Sequence, residues 1–315
     1  MAGYLGVAPP CDGEWRKMNP GPDFIIIGAM KCATSTIHDQ LARQPGISMS
    51  EPKEPNFFSD PQQWERGLAW YQGLFAAMPK GDLKGESSTH YTKLPAYPHC
   101  PQRLADHLPN TRLIYVMRDP VDRLISQYIH EWSQRMIARD CLIDQALEKH
   151  PMLVDYSRYA MQLGPYLDMY GPDAVLPVFF ERVTASPQTE LERIARHIGY
   201  DQPVEWREDQ ATNVSATRQR RHPLMEATLR VGPLAAARRA LLPESFRARI
   251  RSRWTMNERP ELSSRSLARV REQLDPEMEK LGAWLGIELS CANFKDAVTE
   301  GQAPGWTTRS ESAHV

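Results

Sequence analysis

The chain has 315 residues, 41% of them hydrophobic and 24% charged, which excludes wholesale disorder and allows a packed core. Its 38 Lys and Arg balance 39 Asp and Glu for a formal net charge of −1, so the chain as a whole lacks the basic footprint of a nucleic-acid binder. Five cysteines, Cys11, Cys32, Cys100, Cys141 and Cys291, form no CxxC pair and no metal-ligand spacing; they read as reduced thiols, and no metal is expected.

Residues 1–20 read as an N-terminal extension. Met1 to Trp15 contains Pro9, Pro10 and Asp12 and lacks the apolar segment of a signal peptide. No apolar run approaches the roughly 18 residues needed to cross a bilayer. The expectation is a cytoplasmic protein without a membrane span.

A single domain is expected over 21–300. Its first strong element is Asp23 to Ile27, short and β-branched, as a buried parallel strand requires. Gly28 ends it, the polar stretch Lys31 to Thr36 follows, and a helix carries Ile37 and Leu41 to Pro45-Gly46. A second unit repeats the plan: strand Arg112 to Met117, turn Arg118-Asp119-Pro120, then Val121, Leu124, Ile125, Tyr128, Ile129 and Trp132 at helical spacing. A third strand is expected over Val175 to Phe180. The helix after it starts at Ser186-Pro187 and ends at Gly199. Residues 218–262, arginine-rich and poorly periodic, read as a lid or insertion. Leu267 to Leu285 reads as two helical stretches divided at Asp275-Pro276, and residues 301–315 as a flexible tail. Strands alternating with helices give a three-layer α/β fold, P-loop-like, with a central parallel sheet flanked by helices.

Two stretches carry chemistry. In Gly28 to Thr36, a glycine at a strand end lets the backbone approach an anion, and the amides opening the next helix point at it. Lys31 adds a point charge, and Thr34, Ser35 and Thr36 add hydroxyl donors. No Gly-Lys pair precedes Thr34, as a Walker loop would need, so a 5′ anion other than magnesium triphosphate fits better. In Arg118 to Tyr128, an arginine fork at a strand end and Ser126, about two turns into the next helix, can reach one phosphate. Arg123 could instead pair with Asp119 or Asp122.

These stretches resemble the sulfotransferase superfamily that uses 3′-phosphoadenosine 5′-phosphosulfate (PAPS). Gly28 to Thr36 looks like its 5′-phosphosulfate loop, and Arg118 to Tyr128 like its 3′-phosphate motif. The likeness is nearest to the heparan sulfate sulfotransferase branch and its bacterial relatives. Lys53-Glu54-Pro55-Asn56-Phe57-Phe58, Gly67 to Tyr71 and Gly85 to Tyr91 support that branch in their order and spacing. It covers roughly residues 22–200. The resemblance implies PAPS as donor, with Lys31, Cys32, Ala33, Thr34, Ser35 and Thr36 around the 5′ group and Arg118 and Ser126 on the 3′-phosphate. Arg218, after Asn213-Val214-Ser215, would join from a covering loop. Lys31 would also offset charge on the leaving group, and Glu54 would be the general base toward a carbohydrate, glycolipid or small-metabolite acceptor. Asn56 and Ser59 stand where heparan sulfate enzymes often carry histidine and aspartate.

Other readings stay open. Glu54 could pair with Lys53 or Arg66, and His90 and His130 are rival bases. Glu86 reads as a buried residue that positions its loop, and Cys32 as a small filler. Arg218, Arg220 and Arg221 could form a solvated basic face. A P-loop-type nucleotide kinase, or a non-catalytic anion- or glycan-binding module on the same fold, is the alternative function.

Overall fold

The computed structural model describes residues 21–208, 218–219, 255–256 and 258–307. In chain order these form β1 (Phe24–Gly28), α1 (Thr34–Ala42), β2 (Ile47–Met49), α2 (Pro61–Trp64), α3 (Leu68–Ala76), β3 (Leu83–Ser87), a 3₁₀ turn (Thr89–Thr92), α4 (Cys100–His107), β4 (Arg112–Met117) and α5 (Pro120–Ser133). Then come α6 (Ile143–Lys149), α7 (Met152–Asp155), α8 (Tyr159–Tyr170), β5 (Val175–Phe179), α9 (Phe180–Ala185), α10 (Pro187–Ile198), β6 (Arg218–Gln219), β7 (Thr255–Met256), α11 (Ser264–Leu285) and α12 (Phe294–Thr299).

Five strands make one all-parallel sheet in the order β2-β3-β1-β4-β5. Phe24 to Ile27 and Leu113 to Met117 are fully buried, as strands covered on both faces must be. On one face α1 meets the segment after α10: the Gln40 side chain bonds the backbone of Arg207, Gln44 bonds that of Glu205, and Tyr200 donates to the Pro45 carbonyl. The other face carries α8, whose Tyr166 and Tyr170 hydroxyls donate to the carbonyls of Tyr91 and Leu108. From central β1 the chain moves toward β2, and from β4 it moves the other way toward β5. The sheet therefore switches direction between β1 and β4, where ligands of open α/β sheets bind beyond the strand ends.

The expected strands at Asp23 to Ile27, Arg112 to Met117 and Val175 to Phe180 appear within a residue of their bounds, and Gly199 caps α10 with φ 79°. Two strands escape sequence pattern. β2 is three residues long, and β3 reads Leu-Lys-Gly-Glu-Ser. Gly85 is there for space, since a Cβ would lie 2.3 Å from the Phe24 ring and 2.5 Å from the Met49 sulfur.

The helix expected to break at Asp275-Pro276 is instead continuous from Ser264 to Leu285. Val270, Leu274, Met278 and Leu281 form one buried stripe through the proline. Anchors flank it: the Asp275 carboxylate accepts from the Cys291 amide and that of Glu277 from the Met161 amide, both at 2.8 Å. Part of the stretch read as a loose tail is also tied down, because Trp306 donates to the Val175 carbonyl at 2.5 Å and the Thr307 amide to that of Trp284 at 2.9 Å. The N-terminal extension, Asn213 to Ser215, Arg220, Arg221 and most of the expected lid lie outside the described residues.

Candidate active site

The loop after β1 is built by close approach. A Cβ on Gly28 would fall 1.9 Å from the Thr92 hydroxyl, which itself donates to the Ile27 carbonyl at 2.8 Å. Lys31 and Ala33 follow with φ of 72° and 66°, the left-handed region that L residues enter only when held there. α1 then begins at Thr34 without a side-chain cap, so its first amides and its dipole face the loop. Cys32 is fully buried beneath them, and burial pushes its thiol up to about 12 against the opposing pull of Arg123 and Arg118. It stays a protonated filler.

One strand over, Arg118 directly follows β4. Asp119 caps α5 by accepting from the Asp122 amide at 2.8 Å, and Pro120 opens the helix. The Arg118 backbone is fixed by Tyr159, whose hydroxyl donates to its carbonyl at 2.6 Å. Its guanidinium lies 4.4 Å above the Phe180 ring, and its buried Nε has no hydrogen-bond partner. An orphaned, buried, charged donor is costly unless an anion completes it. Ser126 is buried on the same helix. β6, which holds Arg218, packs against α5 and pairs with β7.

Arg123 does not pair with Asp119 or Asp122. It is fully buried and donates to the Ser157 hydroxyl (2.5 Å), the Gln127 side chain (2.7 Å) and the Leu153 carbonyl (2.6 Å). Asp122 instead holds Arg259 at 2.5 Å and Lys295 at 2.8 Å. Arg123 thus seats α5 against α7.

The third wall is the segment 50–60. Phe57 and Phe58 are buried, and Phe57 stacks on Tyr71 with centroids 4.8 Å apart. These rings anchor the chain just past Glu54. Lys53 donates to the Ser35 hydroxyl, which ties this segment to the donor loop. The Thr89 hydroxyl reaches Glu54 Oε2 at 3.4 Å. Arg66 lies 3.7 Å above the Trp70 ring and donates to Gln63, so it is engaged away from Glu54. His90 stacks on Tyr97, with its ring lowered to about 4 by burial and by Lys93.

Glu86 is fully buried and accepts from the Tyr71 hydroxyl. Burial raises its carboxyl, outweighing the hydrogen bond from Tyr71 that lowers it. A raised carboxyl lets the folded state hold a proton that the unfolded chain releases, so this group subtracts stability as pH rises above the ordinary carboxylate value. Glu86→Gln removes that term. Calorimetry should show the variant gaining melting temperature over wild type at about pH 8 and losing the gain near pH 4. A gain independent of pH would refute the assignment.

The loop after β1 and Arg118 after β4 thus lie at the switch point, and the segment of Glu54 is tied to that loop through Lys53 on Ser35. A sulfotransferase domain profile matches residues 21–232. The chain belongs to the sulfotransferase family. It is 31% identical over 185 residues to mouse heparan sulfate glucosamine 3-O-sulfotransferase 3B1, covering 56% of this chain and 46% of that protein. It is 30% identical over 206 residues to mouse heparan sulfate glucosamine 3-O-sulfotransferase 6, covering 62% and 57%. The chain therefore spans about half the length of these curated relatives. Among solved structures, a sulfotransferase from Alicyclobacillus acidocaldarius matches with a TM-score of 0.51 at 25% identity, over 72% of this chain and 98% of that one. Among this sulfotransferase's described residues, no group of His, Cys, Asp and Glu could hold a metal ion, and no helix is long and apolar enough to cross a membrane.

Sequence reasoning missed three site residues. Thr92 fills the space above Gly28, Lys53 touches Ser35, and Lys93 lies buried beside them. For Lys93 the one available signal was a lone charge between Tyr91 and Tyr97.

Proposed function

We propose that this chain moves a sulfuryl group from PAPS to a hydroxyl or amine of a carbohydrate, glycolipid or small-metabolite acceptor, with Glu54 as general base. The contact that carries this reading is Lys53 on Ser35, because it holds the segment bearing Glu54 against the loop that would cradle the 5′ group. Lys31, Cys32, Ala33, Thr34, Ser35 and Thr36 line that loop, and Arg118 and Ser126 stand one strand away for the 3′-phosphate. The orphaned Nε of Arg118 supports this second anion position. Arg218 would add a donor from β6.

Sulfuryl transfer needs an acceptor in line with the bond that breaks, and charge stabilised on the leaving bisphosphate. The acceptor's oxygen or nitrogen forms the new bond to sulfur as the sulfur–oxygen bond to the 5′-phosphate breaks. The acceptor proton passes to Glu54. Lys31 and the α1 amides face the charge left on the phosphate, so no metal is required. The names of the curated relatives favour a glucosamine-containing glycan hydroxyl as the acceptor class.

The test is transfer of label from PAPS to a panel of oligosaccharides, glycolipids and small metabolites, followed by mass spectrometry for one added sulfuryl group. Turnover should survive exhaustive chelation. Loss on chelation, restored by a divalent ion, together with tighter binding of magnesium ATP than of adenosine 3′,5′-bisphosphate, would favour a nucleotide kinase instead.

A further inference from the structure

Lys53 belongs to the segment that bears Glu54, yet its ammonium reaches the loop after β1, where it donates to the Ser35 hydroxyl. The segment has anchors of its own on either side of Lys53. The Ser50 amide donates to the Gly85 carbonyl at 2.8 Å, and the Asn56 amide donates to the Ser88 hydroxyl at 3.1 Å. Beyond Asn56, Phe57 and Phe58 are buried. The reach of Lys53 toward Ser35 therefore has a purpose besides holding its own backbone.

Lys53 is half-buried, and no carboxylate among the described residues lies within ion-pair distance of it. Glu54 and Asp39 attract it from farther off, and burial outweighs them, drawing the ammonium below the ordinary lysine range. A cation taken out of water without a paired counter-ion is costly unless an anion arrives.

Ser35 shows where that anion belongs. A hydroxyl has one hydrogen and two lone pairs, whereas an ammonium can only donate. Ser35 therefore accepts from Lys53 and keeps its own hydrogen to give away, and no acceptor among the described residues takes it. Ser35 is also the second residue of α1. The first backbone bond of that helix runs from the Ile37 amide to the Ala33 carbonyl, which leaves the amides of Thr34, Ser35 and Thr36 without an intrahelical partner. The ammonium-backed hydroxyl and these three amides converge on one helix end.

We propose that Lys53 is a positioning residue for the donor: by donating to Ser35 Oγ it turns that hydroxyl's hydrogen toward the 5′-phosphate of PAPS and adds a positive charge to that of Lys31. The inference rests on the reading that Ser35 lines the 5′ anion site. Lys53 forms and breaks no covalent bond. It strengthens a hydrogen-bond donor that faces the charge left on the phosphate as the sulfuryl group departs.

Calorimetric titration of the full chain tests this with two ligands, adenosine 3′,5′-bisphosphate and adenosine 3′-phosphate, which lacks the 5′ group. Lys53→Met should weaken the bisphosphate by about fivefold or more and leave the 3′-phosphate within about twofold of wild type. The second ligand also reports that the variant is folded. Ser35→Ala should weaken the bisphosphate by about tenfold. Because Lys53 acts through Ser35, the two losses should not multiply: the double variant should fall short of their product by about threefold or more. An unchanged bisphosphate affinity in Lys53→Met, equal losses for both nucleotides, or losses that multiply in full would each overturn the proposal. The reading beneath it fails separately: if Ser35→Ala leaves bisphosphate affinity intact, Ser35 does not line the 5′ site, and the role of Lys53 falls with it.

Discussion

Glu54→Gln is expected to lower turnover by about 10²–10⁴-fold, the usual contribution of general-base catalysis. The substitution keeps the side chain's shape and its capacity to accept from Thr89, which reaches Glu54 Oε2 at 3.4 Å. It removes only the group that takes the acceptor's proton. Phe57 and Phe58 remain buried and Lys53 keeps its contact with Ser35, so the segment should stay in place. Affinity for adenosine 3′,5′-bisphosphate should be unchanged within about twofold, because the role assigned to Glu54 lies on the acceptor side. Lys31→Ala is the contrast, since it should damage turnover and donor binding together. His90→Ala and His130→Ala are the controls. A Glu54→Gln enzyme with most of its activity beside a dead histidine variant would transfer the role to that histidine.

Arg118→Ala should weaken adenosine 3′,5′-bisphosphate by more than about tenfold, from the loss of charge-assisted hydrogen bonds worth roughly 1.5–3 kcal/mol. The fold should tolerate the change. Tyr159 bonds the backbone of residue 118 and not its side chain, and the buried Nε has no partner in the protein to leave behind. Adenosine 5′-phosphate is the decisive comparison, because it lacks the group that Arg118 and Ser126 are assigned. Calorimetric titration should find its affinity nearly unaltered. Equal losses for both nucleotides would place Arg118 elsewhere in the site, or show that its removal disturbs the neighbouring loop.

The parts of this molecule that were legible in the sequence are those where one short-range pattern decides the outcome. Ile25-Ile26-Ile27 and Leu113 to Met117 can only be buried strands, and Ser186-Pro187 with Gly199 bounds a helix at both ends. β3 was illegible because its second, third and fourth residues, Lys84, Gly85 and Glu86, are present for reasons set by partners far along the chain. Gly85 makes room for Phe24 and Met49, and Glu86 meets Tyr71. The break expected at Pro276 failed for the same cause: contacts to Cys291 and Met161 flank it, and the helix runs on through the proline. In the site, the candidate residues were read from contiguous motifs. Lys93 was not among them, because a buried lysine and a surface lysine look alike until Tyr156 and Gln162 are brought around it.

The contact between Gly28 and Thr92 also constrains how this site could diverge. With a would-be Cβ only 1.9 Å from the Thr92 oxygen, alanine cannot enter at 28 while threonine stays at 92. Shrinking residue 92 to admit it deletes the bond to the Ile27 carbonyl, so the intermediate on that route carries a buried carbonyl without its donor. Each single step is unfit, and the double replacement relieves the clash but still lacks that donor. The two positions should therefore be retained together among descendants of this chain, and a designer who wishes to reshape the donor loop must treat them as one unit, sixty-four residues apart in sequence, with Lys93 carried along on the same strut.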